Sequence, residues 1–385
     1  MNETVKLFYK DSHIKEFDAV VLSCEEEKGG YKIVLDETAF FPEGGGQYGD
    51  VGTLNEVNVL DTKEKKGIVY HKTDNPLEVG SKVHGKINWD IRFERMQQHS
   101  GEHIVSGLIH ERFGYNNVGF HLGDDYCTMD FNGPITKEEL KEIERQANEA
   151  IYKDIPVEIL YPTKEELKDL TYRSKIEIEG QVRITRIPGY DICACCAPHV
   201  HSTGQIGIIK LTDMINYKGG ERITLQAGVR ALRDYDGKHE SVRKIGALLC
   251  EKEDQVAEAV SRIKNEQSAM KSRIASLLQK LAMYKADQVE IQDEITVVFD
   301  EELTGNGPRE FMNLILERGA KICAVFAGNE KEGYRYVIGS HTEDVRPISK
   351  ELNTRCNGRG GGKPQMVQGS LTGKEKEILE ALNLR

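Results

Sequence analysis

Apolar and polar side chains alternate in short stretches over the first ninety residues. Three such stretches are Tyr31–Leu35, Gly67–Tyr70 and Lys82–Ile87, and Gly, Asp and Asn residues separate them. Alternation with a period of two is typical of strands that bury one face, and these separating residues are typical of turns. Residues 1–90 are therefore predicted to form a β-rich domain, either a small barrel or a sandwich.

From Trp89 the spacing of apolar positions becomes helical. A helix from Ile91 to about Phe113 is predicted because residues at helical spacing share one face, namely Met96, His99, His103, Val105 and Leu108. A second helix is predicted from Thr136 to Tyr152, where a capping sequence marks its start. Strands are expected near residues 157–160 and 182–184. Mixed helices and strands predict an α+β domain over residues 91–235.

Residues 236–288 are predicted to form one long helical arm. Apolar or aromatic residues recur every seven positions at Leu249, Val256, Ile263, Met270, Leu277 and Tyr284. A second series, four residues on from the first, contains Val260, Gln267, Ile274 and Leu281. No Pro or Gly occurs between residues 247 and 290. Such a repeat is typical of a coiled-coil seam, which a hairpin within the chain or a homodimer would both satisfy. Strands return after residue 289, so residues 289–385 are predicted to form a separate C-terminal domain.

The composition is that of a globular protein and not of a membrane-spanning or secreted one. The 385 residues are 38% hydrophobic and 30% charged, as in globular proteins. No apolar run approaches the roughly 18 residues that a membrane span requires, and the N-terminus lacks the pattern of a secretory signal. We therefore expect no membrane association and a cytoplasmic location, where thiols stay reduced. The 8 cysteines are then expected in cores, at a metal or in catalysis.

One segment near the C-terminus is positively charged, although the protein as a whole is acidic. The net charge of −11 argues against indiscriminate binding to nucleic acid. Between Arg346 and Lys376, however, seven basic residues stand against two acidic ones, a net charge of +5. This segment includes Arg355 and a second glycine-rich loop that contains Arg359 and Lys363. Backbone N–H groups with adjacent cations suit phosphate oxygens, and a merely solvated loop is the alternative.

Histidine and cysteine spacing predicts a metal site. His99 and His103 lie four residues apart on the predicted helix, so both imidazoles project from one face. A later loop contains further soft ligands: Cys193, Cys195, Cys196, His199 and His201. Imidazole and thiolate ligands together suit Zn²⁺; three protein ligands are typical of a catalytic site and four of a structural one. Cys195 and His199 repeat the four-residue spacing, but spacing alone leaves the choice within the loop open.

The same helix also permits a different zinc enzyme. His99 to His103 reads H-x-x-E-H, the inverted zincin pattern, in which Glu102 would be the general base. Glu177 or Glu179 would then supply the third ligand. A zinc metallopeptidase would leave the cysteine-rich loop and the basic C-terminal segment without a role. A non-enzymatic binding module with a structural zinc ion is the other alternative.

A glycine-rich segment follows a predicted strand in the N-terminal domain. Residues 38–50 contain Gly44, Gly45 and Gly46 beside Thr38 and Gln47. A bare backbone lets a ligand approach closely, and the two polar side chains could hydrogen-bond to it. An ordinary turn is the alternative. The segment is not a Walker loop, because no GK[ST] sequence ends it.

Four motifs resemble those of the alanyl-tRNA synthetase editing domain and its C-terminal extension. Residues 96–107 resemble its H-x-x-x-H helix, and residues 195–207 resemble its C-x-x-x-H segment. Residues 38–50 are similar to its glycine-rich motif, and residues 358–370 to the signature of the DHHA1 domain. The aminoacylation domain itself would require a longer chain upstream of Met1. The resemblance is thus to a free-standing alanyl-tRNA editing protein of the long form.

This resemblance implies a fold and an activity. It implies a multidomain α+β protein with an N-terminal β-barrel-like domain, an α+β zinc-containing editing domain, a helical coiled-coil segment and a C-terminal α/β DHHA1-like domain. It implies hydrolysis of tRNA(Ala) mischarged with serine or glycine, chiefly serine, and, as in a synthetase, ATP binding. A homodimer through the long helix or the C-terminal domain is also expected.

The resemblance further assigns roles to residues. It selects His99, His103, Cys195 and His199 as ligands of one Zn²⁺ per chain, which holds the catalytic water or orients the substrate. For such a substrate, Thr38 of the glycine-rich segment is our candidate to hydrogen-bond to the serine hydroxyl, with Gln47 and Gly44 to Gly46 beside it. Arg355, Arg359 and Lys363 would hold the body of the tRNA.

Overall fold

The computed structural model describes residues 3–124, 126–174 and 180–382. The chain divides into two compact units, residues 1–244 and residues 245–385, and each is described by itself. Within the described residues, no helix is both long and apolar enough to cross a membrane.

The first unit begins with a closed six-stranded barrel. Its short flanking strands β1 (Val5–Lys6) and β4 (Glu37–Thr38) pair with each other. The barrel strands are β2 (Glu16–Glu27), β3 (Gly30–Leu35), β5 (Gly52–Leu54), β6 (Val57–Lys65), β7 (Ile68–Thr73) and β8 (Lys82–Ile87). Every second residue of β8 is buried, as the alternation predicted. The β-rich prediction is confirmed, and the barrel alternative is the correct one.

Helix α1 (Trp89–Phe113) follows the barrel directly. Its start is capped by the Asn88 side chain, which accepts from the Ile91 N–H, and it ends at Gly114 in the left-handed conformation. The helix is buried along most of its length although many of its side chains are polar. Gln98 illustrates how they are satisfied, since its amide bonds to both the N–H and the carbonyl of Ala227.

Two antiparallel sheets and a second long helix pack around α1. The first sheet has the order β14-β15-β10-β9, and the second the order β11-β12-β13. Their strands are β9 (Asn117–Leu122), β10 (Cys127–Phe131), β11 (Glu158–Leu160), β12 (Ile184–Ile187), β13 (Asp191–Ala194), β14 (Ile209–Tyr217) and β15 (Gly220–Ala227). The helices are α2 (Lys137–Tyr152), with the predicted capping box at Thr136, and the short α3 (Glu166–Asp169). The α+β prediction for this region is confirmed.

The prediction of one uninterrupted long helix is wrong. Helix α4 (Gly228–Leu249) ends, and six residues separate it from the start of helix α5 (Val256–Gln288). Cys250 has a φ of 54°, and the N–H groups of Cys250 and Glu251 bond to the carbonyls of Ala247 and Gly246. This is the Schellman pattern that ends helices, with cysteine at the position where glycine is usual. The absence of Gly and Pro from the sequence therefore hid the break.

The second unit contains a five-stranded sheet with the order β16-β17-β18-β20-β19. Its strands are β16 (Thr296–Phe299), β17 (Cys323–Asn329), β18 (Gly333–Gly339), β19 (Arg359–Lys363) and β20 (Met366–Leu371). Its helices are α6 (Gly307–Glu317), α7 (Arg346–Arg355) and α8 (Glu375–Ala381). The second glycine-rich segment was expected to be a loop, but it forms the edge strand β19. A Cβ at Gly360 would overlap Tyr336 Oη and the Gln368 carbonyl, so glycine permits this close pairing.

Candidate metal centre

Four side chains from two distant parts of the first unit converge. His99 and His103 lie one turn apart on α1, and Cys195 and His199 lie in the segment that follows β13. Their ligand atoms all lie within 4.8 Å of one another. The three histidines are 2–3% exposed. The structure thus brings together the four residues that the sequence predicted as metal ligands.

Each of the three imidazoles uses Nδ1 for a polar neighbour. Cys195 Sγ lies 3.5 Å from His99 Nε2 and 3.4 Å from His199 Nε2. The Nδ1 contacts are His99 to Gln47 Oε1 at 3.1 Å, His103 to Asp191 Oδ2 at 2.7 Å and His199 to Ser100 Oγ at 3.1 Å. A proton on Nδ1 that is donated to these oxygens leaves the lone pair on Nε2. Three Nε2 atoms and one sulfur are therefore available to a single ion.

The geometry of this donor set fits Zn²⁺. A tetrahedral ion with Zn–S of about 2.3 Å and Zn–N of about 2.0 Å separates sulfur from nitrogen by roughly 3.5 Å. The two sulfur–nitrogen distances at Cys195, 3.5 and 3.4 Å, match that value. A set of three imidazoles and one thiolate is also borderline soft, as zinc prefers.

The protonation states of Cys195 and His199 suit a metal as well. Burial by itself raises the pKa of the Cys195 thiol, but the imidazoles of His99 and His199 hold it well below its ordinary value. Burial lowers the pKa of His199 to about 3. Thiolate and neutral imidazole are the forms that bind metal ions, so little proton release would oppose binding at these two residues.

A buried ion pair positions His103. Asp191 receives two hydrogen bonds from the Arg173 guanidinium, both at 2.8 Å, in addition to the one from His103. Burial raises the pKa of Asp191, but the bonds from His103 and Arg173 outweigh it and the pKa is lowered. The ionised carboxylate thus fixes the ring and strengthens it as a donor. Sequence reasoning missed both residues, although Asp191 and Cys193 alternate on β13 and Cys195 directly follows that strand.

Of the remaining candidates in the loop, Cys193 forms a separate buried group with His103 and Asp191, and Cys196 and His201 are not part of the four-residue centre. Burial raises the pKa of Cys193 to about 11, so it stays a thiol. Cys196 is exposed, and His201 contacts Asp11 Oδ1 at 2.8 Å. The structure therefore favours the pair that the family resemblance selected.

The inverted zincin alternative finds little support in the geometry. Glu102 is buried, and its Oε1 accepts hydrogen bonds from Ser106 Oγ at 2.7 Å and from Asn117 Nδ2 at 2.5 Å. The third ligands proposed for that enzyme, Glu177 and Glu179, lie outside the described residues. His199, which that pattern does not include, instead takes part in the cluster.

The glycine-rich loop forms one wall of the centre. Gly45 and Gly46 have φ values of 61° and 81°, in the left-handed region that favours glycine. A Cβ on Gly45 would lie 3.5 Å from Cys196 Sγ and 3.8 Å from His99 Cε1. Gln47 is 1% exposed, and its Nε2 has no hydrogen-bond partner among the described residues. Among the described residues, a buried amide donor thus stands unpaired beside His99, where it could hydrogen-bond to a polar group of a bound molecule.

Thr38 is placed differently from Gln47. Its hydroxyl lies 2.8 Å from His71 Nε2 and accepts from the Phe40 N–H, and the residue is fully buried at the barrel. Burial lowers the pKa of His71 to about 4, so this imidazole is neutral. Its Nδ1 lies 3.3 Å from the Ile33 carbonyl oxygen, which accepts a hydrogen bond from the Nδ1–H. The Thr38 hydroxyl therefore donates to Nε2, and its proton is already used.

The basic residues predicted to bind tRNA lie in the second unit. Arg359 and Lys363 are exposed at the two ends of β19. Arg355 lies at the end of α7 and forms an ion pair with Glu351 at 2.5 Å. A groove of about 400 Å³ between α7 and β19 is lined by Lys350, Asn353 and the three glycines of the strand.

Comparison with known families gives three matches along the chain. Residues 3–91 match the family of class II (A) tRNA synthetases. Residues 182–227 match the threonyl and alanyl tRNA synthetase second additional domain, which includes Cys195 and His199. Residues 292–385 match the DHHA1 domain.

Similar proteins match over nearly the whole chain. "Alanyl-tRNA editing protein Aarsd1" of Rattus norvegicus is 30% identical over 95% of this chain and 94% of its own length. "Alanyl-tRNA editing protein AlaX-L" of Pyrococcus horikoshii is 29% identical over 97% of this chain and 96% of its own length. "Alanine--tRNA ligase" of Methanobrevibacter smithii is 30% identical over 99% of this chain but only 45% of its own length.

Proposed function

Because this chain belongs to the family of alanyl-tRNA editing proteins, we propose that it hydrolyses the ester that joins a wrong amino acid to tRNA(Ala). The chief substrate is tRNA(Ala) mischarged with serine, and the glycine ester is the second. The protein acts in trans on tRNA that a synthetase has already released. Its compartment is the cytoplasm, in keeping with cysteines that are all free.

The convergence of three Nε2 atoms and the Cys195 thiolate is the single observation that carries this proposal. His99, His103, Cys195 and His199 would hold one Zn²⁺ per chain. When bound, the ion supplies Lewis-acid chemistry, through an activated water or an oriented substrate group. Asp191 and Ser100 keep the imidazoles in place, and the glycine loop lets the aminoacyl end approach closely. An ATP site is not part of the proposal, because ester hydrolysis requires no nucleotide.

Gln47 is proposed as the residue that reads the serine hydroxyl. Serine differs from alanine by one hydroxyl, and a site that hydrogen-bonds this group can discriminate strongly. The unpaired Nε2 of Gln47 is a buried donor beside His99, whereas the Thr38 hydroxyl donates to His71. We therefore assign the direct contact to Gln47. Thr38 supports it by accepting from Phe40 at the start of the glycine-rich segment.

The body of the tRNA is proposed to bind the second unit. The glycines of β19 leave its backbone open, and Arg359 and Lys363 add positive charge at its ends. Arg355 contributes less, because Glu351 neutralises it locally. Phosphate contacts of this kind depend strongly on salt concentration.

A homodimer is also proposed, through α5. The predicted seam residues of this helix are about half exposed in the single chain, with values of 56% for Ile274, 48% for Leu277 and 44% for Leu281. Pairing with α5 of a second chain would bury them. Light scattering of the wild type and of Ile274→Glu tests this, and a monomeric wild type would contradict it.

The alternative is a tRNA-binding module in which zinc is purely structural. Four protein donors, as at this centre, are typical of structural zinc. The deciding experiment measures release of free amino acid from tRNA(Ala) charged separately with serine and with alanine. We expect rapid loss of serine with alanine largely spared. Loss of neither, by a folded protein that contains zinc, would favour the structural alternative.

A further inference from the structure

A second group of metal-binding side chains lies outside the centre. Asp11, His13 and His201 each offer a ligand atom within 4.8 Å of the others. Asp11 Oδ1 lies 2.8 Å from His201 Nε2 and 4.0 Å from His13 Nδ1. Asp11 and His201 are exposed and His13 is half-buried, so an ion could enter from solvent.

Hydrogen bonds hold the two segments of this group together. Ser12 Oγ donates to the His199 carbonyl at 2.6 Å, and Arg92 donates to the Ser12 carbonyl at 3.0 Å. The rings of His13 and His201 stack, with 3.6 Å between their centroids. The turn at residues 11–13 is thus already fixed against the segment that carries His201. A ligand set built in this way loses little conformational entropy when an ion binds.

The hydrogen-bonding groups around His13 also favour a cation. Its Nε2 lies 3.2 Å from Gln205 Oε1, which accepts from the His201 N–H, and its Nδ1 lies 3.1 Å from Ser12 Oγ. A neutral imidazole has one N–H. If Nε2 donates to Gln205, the Nδ1 lone pair faces two oxygens, those of Ser12 and Asp11, and a bound ion would remove this repulsion.

We propose that Asp11, His13 and His201 form a second divalent-metal site, separate from the buried centre. Two imidazoles and one carboxylate suit zinc and the neighbouring first-row ions, and the exposed position leaves room for water ligands. An ion at this site joins the turn at residues 11–13 to the segment that contains His199. It therefore stabilises the backbone around one ligand of the centre without taking part in that centre.

Zinc stoichiometry of the full chain tests the proposal. After equilibrium dialysis against Zn²⁺, atomic spectroscopy should count two ions per wild-type chain and one ion in each of Asp11→Asn, His13→Gln and His201→Asn. His84→Asn is the matched control, because His84 is an exposed histidine that contacts Asp18 Oδ1 at 2.9 Å without a second imidazole. This control should keep both ions, and circular dichroism verifies that every variant is folded.

Cobalt distinguishes the two sites. A thiolate such as Cys195 gives Co²⁺ an intense charge-transfer absorption, whereas nitrogen and oxygen ligands do not. The second cobalt ion should therefore bind to the wild type without adding to that band. The His201→Asn variant should no longer bind the second cobalt ion, and its charge-transfer band should be unchanged. Saturation of the wild type at one ion that gives the band would overturn the second site. A second ion that all three substitutions leave in place would overturn its assignment to these residues.

Discussion

The candidate metal centre is buried and fixed by hydrogen bonds, whereas the edge strand β19 is exposed to solvent. In the centre, the histidines are 2–3% exposed and hydrogen bonds fix each ring. At β19 all five residues are exposed, and the strand is paired on one side only. Buried groups act through fixed short-range geometry, whereas exposed charges act through a field that salt screens. Substitutions in the centre should therefore affect metal and chemistry, and substitutions at β19 should affect tRNA affinity.

The largest expected effect is that of Cys195→Ala. Removing the only sulfur donor of the four-residue centre should abolish stoichiometric zinc at that centre and lower deacylation by at least about 100-fold, since several kcal/mol of charge stabilisation are lost. Zinc content and hydrolysis of seryl-tRNA(Ala) are the two measurements. Cys196→Ala is the control, because Cys196 is exposed and outside the centre. Full activity in a zinc-free Cys195→Ala protein would contradict the metal mechanism.

Asp191→Asn should have the next largest effect. The carboxylate orients His103 and strengthens it as a donor, and loss of such a contact typically costs about 10–100-fold in metal affinity. Competition with a chelator measures this affinity directly. Asp130→Asn is the control, because Asp130 also pairs with an arginine, Arg222, away from the centre. Equal zinc affinity in the two variants would contradict the proposal that Asp191 strengthens His103 as a metal ligand.

Gln47→Leu and Thr38→Val together test which of the two residues recognises the serine hydroxyl. Loss of one hydrogen bond to the serine hydroxyl is worth about 1.4 kcal/mol, so Gln47→Leu should lower the serine-to-alanine ratio of kcat/KM about tenfold. Thr38→Val should leave this ratio nearly unchanged and instead lower thermal stability, because His71 loses its partner. The opposite pattern would mean that Thr38, and not Gln47, hydrogen-bonds to the serine hydroxyl, as we predicted from the sequence.

The contrast also explains what the sequence could predict. Period-four spacing was enough to pair His99 with His103, because helix geometry puts both rings on one face, but the choice of Cys195 and His199 within the loop came from the family resemblance. The partners of their Nδ1 atoms were not predictable in this way. Asp191 and Gln47 reach the centre only through the pairing of strands and the path of the glycine loop, which depend on tertiary packing.

In the fold, too, local sequence patterns predicted some elements and missed others. The barrel and α1 followed from alternation and helical spacing, which report local burial. The break at Cys250 did not, because its signal is a left-handed backbone conformation at a residue other than glycine. Glycine content alone likewise could not distinguish the loop at Gly44–Gly46 from the strand β19, since glycine permits both a positive φ and close pairing of backbones.

The smallest expected effects are those of charge removal at β19. Arg359→Gln or Lys363→Gln should raise KM for the charged tRNA a few-fold, leave kcat nearly unchanged and reduce the slope of log affinity against log salt by about one. Arg145→Gln is the matched control, because Arg145 is also exposed but lies on α2 of the first unit and is paired with Glu142 at 2.6 Å. A fall in kcat with unchanged KM would mean that the edge strand acts on the chemistry and not on affinity. The distinction between a buried chemical centre and an exposed binding strand would then fail.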